Sequence, residues 1–129
     1  MRREIRVDGL NPPISHYTDA VRFGQLLFIS GVAPIDAQLN VVGGEDVVAQ
    51  ARQVFLNMSK ILEAAGASFA DVLKVTVYLT NVDDRAKINT VRQEFFGSAR
   101  PASTLVGVKD LAIPGMKIEI EAVGGLTSN

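Results

Sequence analysis

The sequence predicts an α+β fold in which two helices pack on one face of a mixed sheet of about six strands. Three observations favour this class. The length of 129 residues suits one domain, residues 1–129. Apolar residues make up 47% of the chain, enough to form a core. Two stretches of helical periodicity stand among alternating extended segments in the order β-β-β-α-β-α-β-β.

The first three strands are predicted from short extended segments. Residues 3–7 alternate loosely between polar and apolar, and the glycine and two prolines within 8–15 indicate a loop. A β-hairpin follows, with arms at 20–23 and 26–30 around the two-residue turn Gly24-Gln25.

The first helix has the clearest pattern in the chain. Asp46 is a suitable N-cap, and Gly66 stands where a helix commonly ends in the left-handed conformation. Between them, apolar residues recur every three or four positions. The opposite face is expected to hold mainly the polar residues Gln50, Arg52, Gln53, Asn57, Lys60 and Glu63.

The second half predicts three strands and one helix. Residues 73–80 alternate, with Leu73, Val75, Val77 and Leu79 on the buried face. Asp83 or Asp84 is expected to cap the second helix, and residues 104–108 and 116–123 are expected to form the last two strands.

One face of this sheet has no helix to cover it. Lys74, Thr76 and Tyr78 make that face partly polar, yet the chain is rich in Val and Ile. An uncovered, half-apolar sheet face favours oligomerisation.

The composition of the chain argues against several kinds of partner, site and location. Thirteen Lys and Arg against fourteen Asp and Glu give a net charge of −1, so neither nucleic acid nor a membrane surface is expected as a partner. The absence of cysteine excludes disulfides, thiolate nucleophiles and cysteine-ligated zinc. No apolar stretch typical of a secretory signal follows the first residues, and no apolar run approaches the ~20 residues of a membrane helix. By elimination we expect a cytoplasmic protein.

Familiar catalytic motifs are missing from the sequence, including glycine-rich nucleotide loops, the HExxH zinc motif and the nucleophile elbow. The single histidine, His16, cannot build a multi-histidine metal site, so no metal is expected. A triad of His16 with Asp19 and Ser15, Ser30 or Ser103 is formally possible, but the spacing does not favour it.

Other polar residues each have a structural and a functional interpretation. Glu119 and Glu121 share one strand face, either as a solvated edge or as carboxylates in a cleft that move protons. Arg100 is either an exposed loop residue or a clamp for a substrate carboxylate. Tyr17 is either a half-buried packing residue or part of a pocket, and Ser30 is either a strand end or the lining of a pocket.

A series of short segments covers almost the whole chain in a familiar order. They are SHYTDAV at 15–21, LFISG at 27–31, GG at 43–44, QARQ at 50–53, ILEAAGA at 61–67, DVLKVTVYLT at 71–80, EFF at 94–96, RPAST at 100–104 and IEIEA at 118–122. Together they resemble the RidA, or YjgF-like, family of reactive intermediate deaminases.

The resemblance implies a chorismate-mutase-like subunit and a homotrimer with a ligand cleft at each subunit interface. It also implies hydrolysis of enamine or imine intermediates to keto acids and ammonia, without a metal or an organic cofactor. Tyr17, Ser30 and Asn89 match residues of the family's pocket. Glu119 matches the carboxylate that positions the attacking water.

Position 103 departs from the family pattern. Deaminase members have Pro-Ala-Arg-Ser, whose arginine pairs with the substrate carboxylate, and here Ser103 replaces that arginine. Such a pair contributes about 2–5 kcal/mol to binding, whereas a hydroxyl contributes roughly 0.5–1.5 kcal/mol. We therefore expect a different ligand, still a small carboxylate, held by the backbone amides near Ser103 and Thr104 together with Arg100 or His16.

Three functions stay open at this point. The first is a cofactor-free deaminase of a small enamine, imine or amino-muconate-like acid. The second is a non-catalytic trimer that binds or senses a small metabolite. The third is an endoribonuclease or translation inhibitor, an activity attributed to some family members, which the near-neutral charge and the lack of a basic patch disfavour.

Overall fold

The computed structural model describes residues 1–127 as a six-stranded sheet with two helices on one face. The last two residues of the predicted 1–129 domain lie outside the described residues. The predicted element order is confirmed. The strands and helices are β1 (Arg2–Ile5), β2 (Ala20–Phe23), β3 (Leu26–Val32), α1 (Val47–Ala64), β4 (Val72–Leu79), α2 (Asn89–Phe96), β5 (Ala102–Gly107) and β6 (Ile118–Gly125).

The sheet is mixed, with the strand order β1-β2-β3-β6-β4-β5. All neighbours are antiparallel except β4 and β5, which are parallel because α2 connects them as a crossover. The last strand, β6, therefore lies between β3 and β4 rather than at an edge.

Helix α1 confirms the predicted caps. The Asp46 carboxylate accepts hydrogen bonds from the backbone N–H groups of Val48 and Ala49, at 2.9 and 3.3 Å, and Gly66 has a φ of 72°. Its apolar side packs on β3 and β6 and forms most of the core. The placement of Gln50 and Asn57 on the solvent side was wrong, since both are buried and bond to loop backbone.

The predicted cap of the second helix was also wrong. Asn81 accepts a hydrogen bond from the Asp83 backbone N–H at 3.0 Å and caps a short 3-10 helix at Val82–Arg85. Asp84 is buried and pairs with Lys87 at 3.2 Å. Because both aspartates belong to this 3-10 helix, α2 begins later than predicted, at Asn89.

A bulge reverses one predicted position in β4. The register with β6 shifts between Val72 and Lys74, so Val72 takes the buried position and Leu73 is 53% exposed. Leu73 thus lies on the sheet face without helices, with Phe23, Leu26 and Phe28, which are also exposed. We call these four residues the open-face patch.

Smaller shifts occur at other strand ends. β1 ends at Ile5 rather than Val7, because the Val7 backbone N–H donates to the carboxylate of Asp19 instead of a strand. β5 begins two residues earlier than predicted, and β6 begins and ends two residues later. Among the described residues, no helix combines the length and apolar character that a membrane span needs.

Candidate functional site

A pocket opens at the end of β3, between that strand, the loop before β2 and the loop before β6, with α1 beneath it. It brings together three of the residues singled out from the sequence, Tyr17, Ser30 and Glu119. Its other lining residues are Leu10, Asn11, Ile14, Asp19, Gly31, Val32, Ala33, Ile35, Asn57, Ile61, Ala112, Ile113 and Met116. The pocket therefore combines an apolar wall with a few polar groups, which is usual for small-molecule sites.

Asp19 anchors the loop that presents Tyr17. Its buried carboxylate accepts the Val7 backbone N–H at 2.8 Å and pairs with Arg6 at 2.7 Å. Beside it, the Ser30 hydroxyl donates to the Thr18 backbone carbonyl at 2.6 Å. This hydrogen bond joins β3 to the loop before β2, and Ser30 lines the pocket.

The half-buried Glu119 side chain is the one carboxylate in this pocket besides Asp19, among the residues described. It packs so closely on Gly31 that a Cβ at position 31 would lie less than 3.0 Å from Glu119 Oε2. Burial raises the pKa of Glu119 above the ordinary glutamate value, and the nearby charge of Glu121 raises this pKa further. A carboxylate with a raised pKa is a suitable proton acceptor near neutral pH.

Glu121 is held on the same strand face by Tyr78, whose hydroxyl donates to Glu121 Oε1 at 2.5 Å. This hydrogen bond is the main reason that the pKa of Tyr78 is raised, with burial contributing as well. The two glutamates of β6 therefore have different surroundings: Glu119 lines the pocket, whereas Glu121 accepts a hydrogen bond from Tyr78.

Gln50 shapes the pocket from behind. Its side-chain amide donates to the carbonyls of Gly44 and Gly115, at 2.7 and 2.9 Å, and accepts the Lys117 backbone N–H at 2.7 Å. Asn57, which lines the pocket, donates to the carbonyl of Ile35 at 2.9 Å. These buried amides join α1 to the loops on both sides of the pocket.

A second groove lies at the β5 edge of the sheet, beside α2. It holds two other residues singled out from the sequence, Asn89 and Arg100, both exposed. Arg92 lies between them on α2 and donates from Nη2 to the Ser103 hydroxyl at 2.9 Å. The lining is Asn89, Arg92, Gln93, Phe96, Gly97, Ala99, Arg100 and Pro101, and none of these residues lines the Glu119 pocket.

Ser103 and Thr104 point to opposite faces of β5. Ser103 pairs with buried Val75 and faces α2, whereas Thr104 pairs with Thr76 and its hydroxyl accepts the Lys74 ammonium at 2.5 Å on the open face. The two side chains therefore do not share one site, and the expected contact through the backbone amides near Ser103 and Thr104 stays a prediction.

His16 is exposed and does not line the Glu119 pocket. Within residues 1–127 it forms no hydrogen bond with Asp19 or with a serine, and Asp19 is occupied by Arg6 and Val7. The formal triad through His16 is thus not assembled. The described residues also contain no cluster of three or more His, Asp or Glu side chains able to hold a metal ion.

Two residues of these sites were missed from the sequence. Asn57 was assigned to the solvent face of α1, and nothing in the local pattern indicates its bonds to loop carbonyls. Arg92 had a detectable signal, because it follows Asn89 by three positions and residues three apart share one helix face.

The family model described as Endoribonuclease L-PSP matches residues 9–125. The chain belongs to this family, to which the YjgF, RidA and RutC proteins also belong. The Endoribonuclease L-PSP match spans every element that builds the pocket and the groove.

Curated relatives agree with this membership over nearly full length. A RutC family protein of Pyrococcus horikoshii is 43% identical over 123 residues, covering 95% of this chain and 97% of that protein. A 2-iminobutanoate/2-iminopropanoate deaminase of Salmonella typhimurium is 36% identical over 126 residues, covering 95% and 97%.

Solved structures of the family share the fold. RidA from a Psychrobacter species superposes with a TM-score of 0.89 at 34% identity, covering 96% of this chain and 99% of that chain. TdcF from E. coli, solved with bound serine, superposes with a TM-score of 0.88 at 32% identity, covering 97% and 99%. The predicted two-layer fold and the family resemblance are both confirmed.

Proposed function

We propose that this chain is a cofactor-free hydrolytic deaminase of a small enamine, imine or amino-muconate-like acid. The observation on which the proposal depends is the half-buried Glu119, aimed into a pocket with Tyr17 and Ser30, with a pKa raised by burial. Relatives named 2-iminobutanoate/2-iminopropanoate deaminase, 36% identical to this chain, support the reaction class.

Glu119 would act first on the attacking water and then on the adduct that the water forms. It accepts a proton as the water oxygen bonds to the carbon of the protonated imine, and the C=N electron pair moves to nitrogen. The proton on Glu119 then passes to that nitrogen. The new hydroxyl returns a proton to Glu119, the carbonyl forms, and the C–N electron pair leaves with ammonia. Ammonia then takes the proton from Glu119 and departs as ammonium, which restores the carboxylate, so one water is consumed for each ammonium released.

The full site is proposed to form between the subunits of a homotrimer. The Glu119 pocket and the groove that holds Asn89 and Arg100 share no lining residue within one chain, so a neighbouring subunit would have to join them. The open-face patch offers an apolar surface for such packing, since Phe23, Leu26, Phe28 and Leu73 are each 43–58% exposed.

The test is ammonia release from freshly generated 2-iminopropanoate, 2-iminobutanoate and 2-aminomuconate. We expect release above the buffer rate for at least one substrate, and loss of this activity in Glu119→Gln. Glu63→Gln, an exposed glutamate of α1, is the matched control and should keep the wild-type rate. Unchanged activity in Glu119→Gln, or buffer-level rates with all three substrates, would reject the proposal.

The same assay separates the alternative of a metabolite-binding trimer. That alternative predicts saturable binding of a small acid, measured by calorimetry, with no ammonia released from any of the three substrates. The serine at position 103, where the deaminase members have arginine, is the observation that favours this alternative.

A further inference from the structure

Arg92 has an unusual environment for a helix arginine. It lies one turn into α2 and is half-buried, and its guanidinium reaches across to the helix-facing side of β5. There Nη2 donates to the hydroxyl of Ser103 at 2.9 Å. The sequence substitution at position 103 thus has a structural counterpart, because the serine is the polar partner of an arginine from another element.

The charge of Arg92 has no counter-ion within residues 1–127. The ion pairs of that region involve other residues, and the Ser103 hydroxyl is neutral and engages one of the five guanidinium N–H groups. Burial lowers the pKa of Arg92, with no neighbouring carboxylate to oppose the effect. A half-buried cation without an anion is unfavourable until an anion binds.

The surroundings of Arg92 define what such an anion would look like. Arg100 adds a second cation at the rim, and Asn89 adds an amide. Phe96 and Pro101 supply apolar walls in the same groove. The combination fits a short planar acid with its carboxylate on the guanidinium and its carbon skeleton against the apolar walls.

We propose that Arg92, oriented by Ser103, is the group that binds the substrate carboxylate, so that the cationic clamp comes from α2 rather than from β5. This inference rests on the proposed function only in taking a small carboxylic acid as the ligand. Ser103 is then a positioning residue, and Arg100 is a secondary cation at the groove rim.

The binding test uses 2-oxopropanoate and 2-oxobutanoate, the acids that imine hydrolysis would release, so that it does not depend on turnover. Calorimetric titration of the wild-type protein should show saturable binding. Arg92→Ala should weaken the affinity by about 30-fold or more, the loss expected for a charged hydrogen-bonded pair, and Arg92→Lys should retain part of it. Arg85→Ala, an exposed arginine bonded to the Val82 carbonyl, is the matched control and should bind as wild type.

Two further measurements separate a carboxylate clamp from a merely structural arginine. Methyl esters of the same acids lack the charge, so their affinity should be low and equal in wild type and Arg92→Ala. Ser103→Ala should weaken acid binding several-fold while leaving the thermal unfolding midpoint of the protein near the wild-type value.

The inference is overturned if the wild-type protein binds neither acid, or if Arg92→Ala, shown to be folded by circular dichroism, binds them as the wild type does. If acid binding is lost in Arg92→Ala while no substrate yields ammonia, the carboxylate site stands and the deaminase proposal fails. If ammonia is released but Arg92→Ala changes neither KM nor acid binding, the deaminase proposal stands and this inference fails.

Discussion

Glu119 and Gly31 fit each other so closely that the carboxylate occupies the space of a missing side chain: a Cβ on Gly31 would lie less than 3.0 Å from Glu119 Oε2. Gly31 has an ordinary negative φ, so the glycine is required for space and not for backbone conformation. The residue after Ser30 therefore determines where the proposed base can sit.

Gly31→Ala should displace the Glu119 carboxylate and lower kcat by about 10²-fold, the lower end of what general-base catalysis contributes. Gly124→Ala is the matched control. It is also a strand glycine, but its added Cβ would meet ordinary contacts at 3.5 Å or more. Steady-state ammonia release checks both variants, and equal rates in Gly31→Ala and wild type would contradict the prediction.

The acid limb of the pH–rate profile should report the ionisation of Glu119. The rate rises with pH as Glu119 loses its proton, and burial and the charge of Glu121 hold this pKa above the ordinary value. Glu121→Gln removes the second cause, so the limb should move to lower pH. Tyr78→Phe removes the hydrogen bond to Glu121 but keeps the Glu121 charge, so the acid limb should not move to lower pH in this variant. A limb that stays in place in Glu121→Gln would show that another group titrates.

Gln50 should contribute strongly to stability because its amide satisfies three backbone groups in two loops. Gln50→Met keeps the side-chain volume but removes three hydrogen bonds to part-buried backbone groups, each worth about 0.5–1.5 kcal/mol. We expect a loss of about 2–4 kcal/mol in the free energy of unfolding, measured by urea denaturation. Gln93→Met, an exposed glutamine of α2, should change it by less than about 0.5 kcal/mol.

The oligomer can be tested on the open-face patch. Phe28→Glu should convert the proposed trimer into monomers, because it places a charge in an apolar interface. Leu56→Glu is the control, since Leu56 is exposed to nearly the same extent as Phe28, 45% against 47%, but lies on α1. Sedimentation should give three times the 13.8 kDa chain mass for wild type and Leu56→Glu. A wild-type monomer would refute the trimer.

Mixed oligomers test whether the two halves of the site come from different chains. Assayed at substrate concentrations well below KM, Arg92→Ala and Glu119→Gln should each have little activity alone. Equal amounts assembled at random should recover about one quarter of wild-type activity, since that share of interfaces pairs two intact halves. If both residues served the same site within one chain, no activity would return. Recovery is measured after coexpression, with each variant bearing its own tag.

The features that sequence patterns predicted are those governed by local periodicity and by caps. Helix α1 has a twenty-residue window between Asp46 and Ala65 with its apolar positions in register, so its limits followed from the chain itself. The start of α2 was missed because the Asn81 cap and the Asp84–Lys87 pair stabilise a 3-10 turn within a segment that reads as one helix.

The incorrect residue assignments arise from contacts between distant parts of the chain. Leu73 follows the alternation of its neighbours, yet a one-residue bulge against β6 sends it to the other face. Arg92 and Ser103 are separated by a loop that places β5 beside α2, and no short motif encodes their 2.9 Å contact. The periodicity of apolar residues predicts which way a side chain points within one helix or strand. It predicts neither the register between two strands nor which side chain an arginine contacts.

The central position of β6 has a consequence for how the chain is made. During translation β3 and β4 both leave the ribosome before β6, the strand that pairs with both of them. Until β6 emerges, the sheet can form only as two parts, β1–β3 and β4–β5, in which β3 and β4 each have an unpaired edge. Folding can finish only after residues 118–125 emerge. A premature stop codon before them would therefore leave β3 and β4 without the strand that pairs with both, and α1 without part of the surface on which it packs.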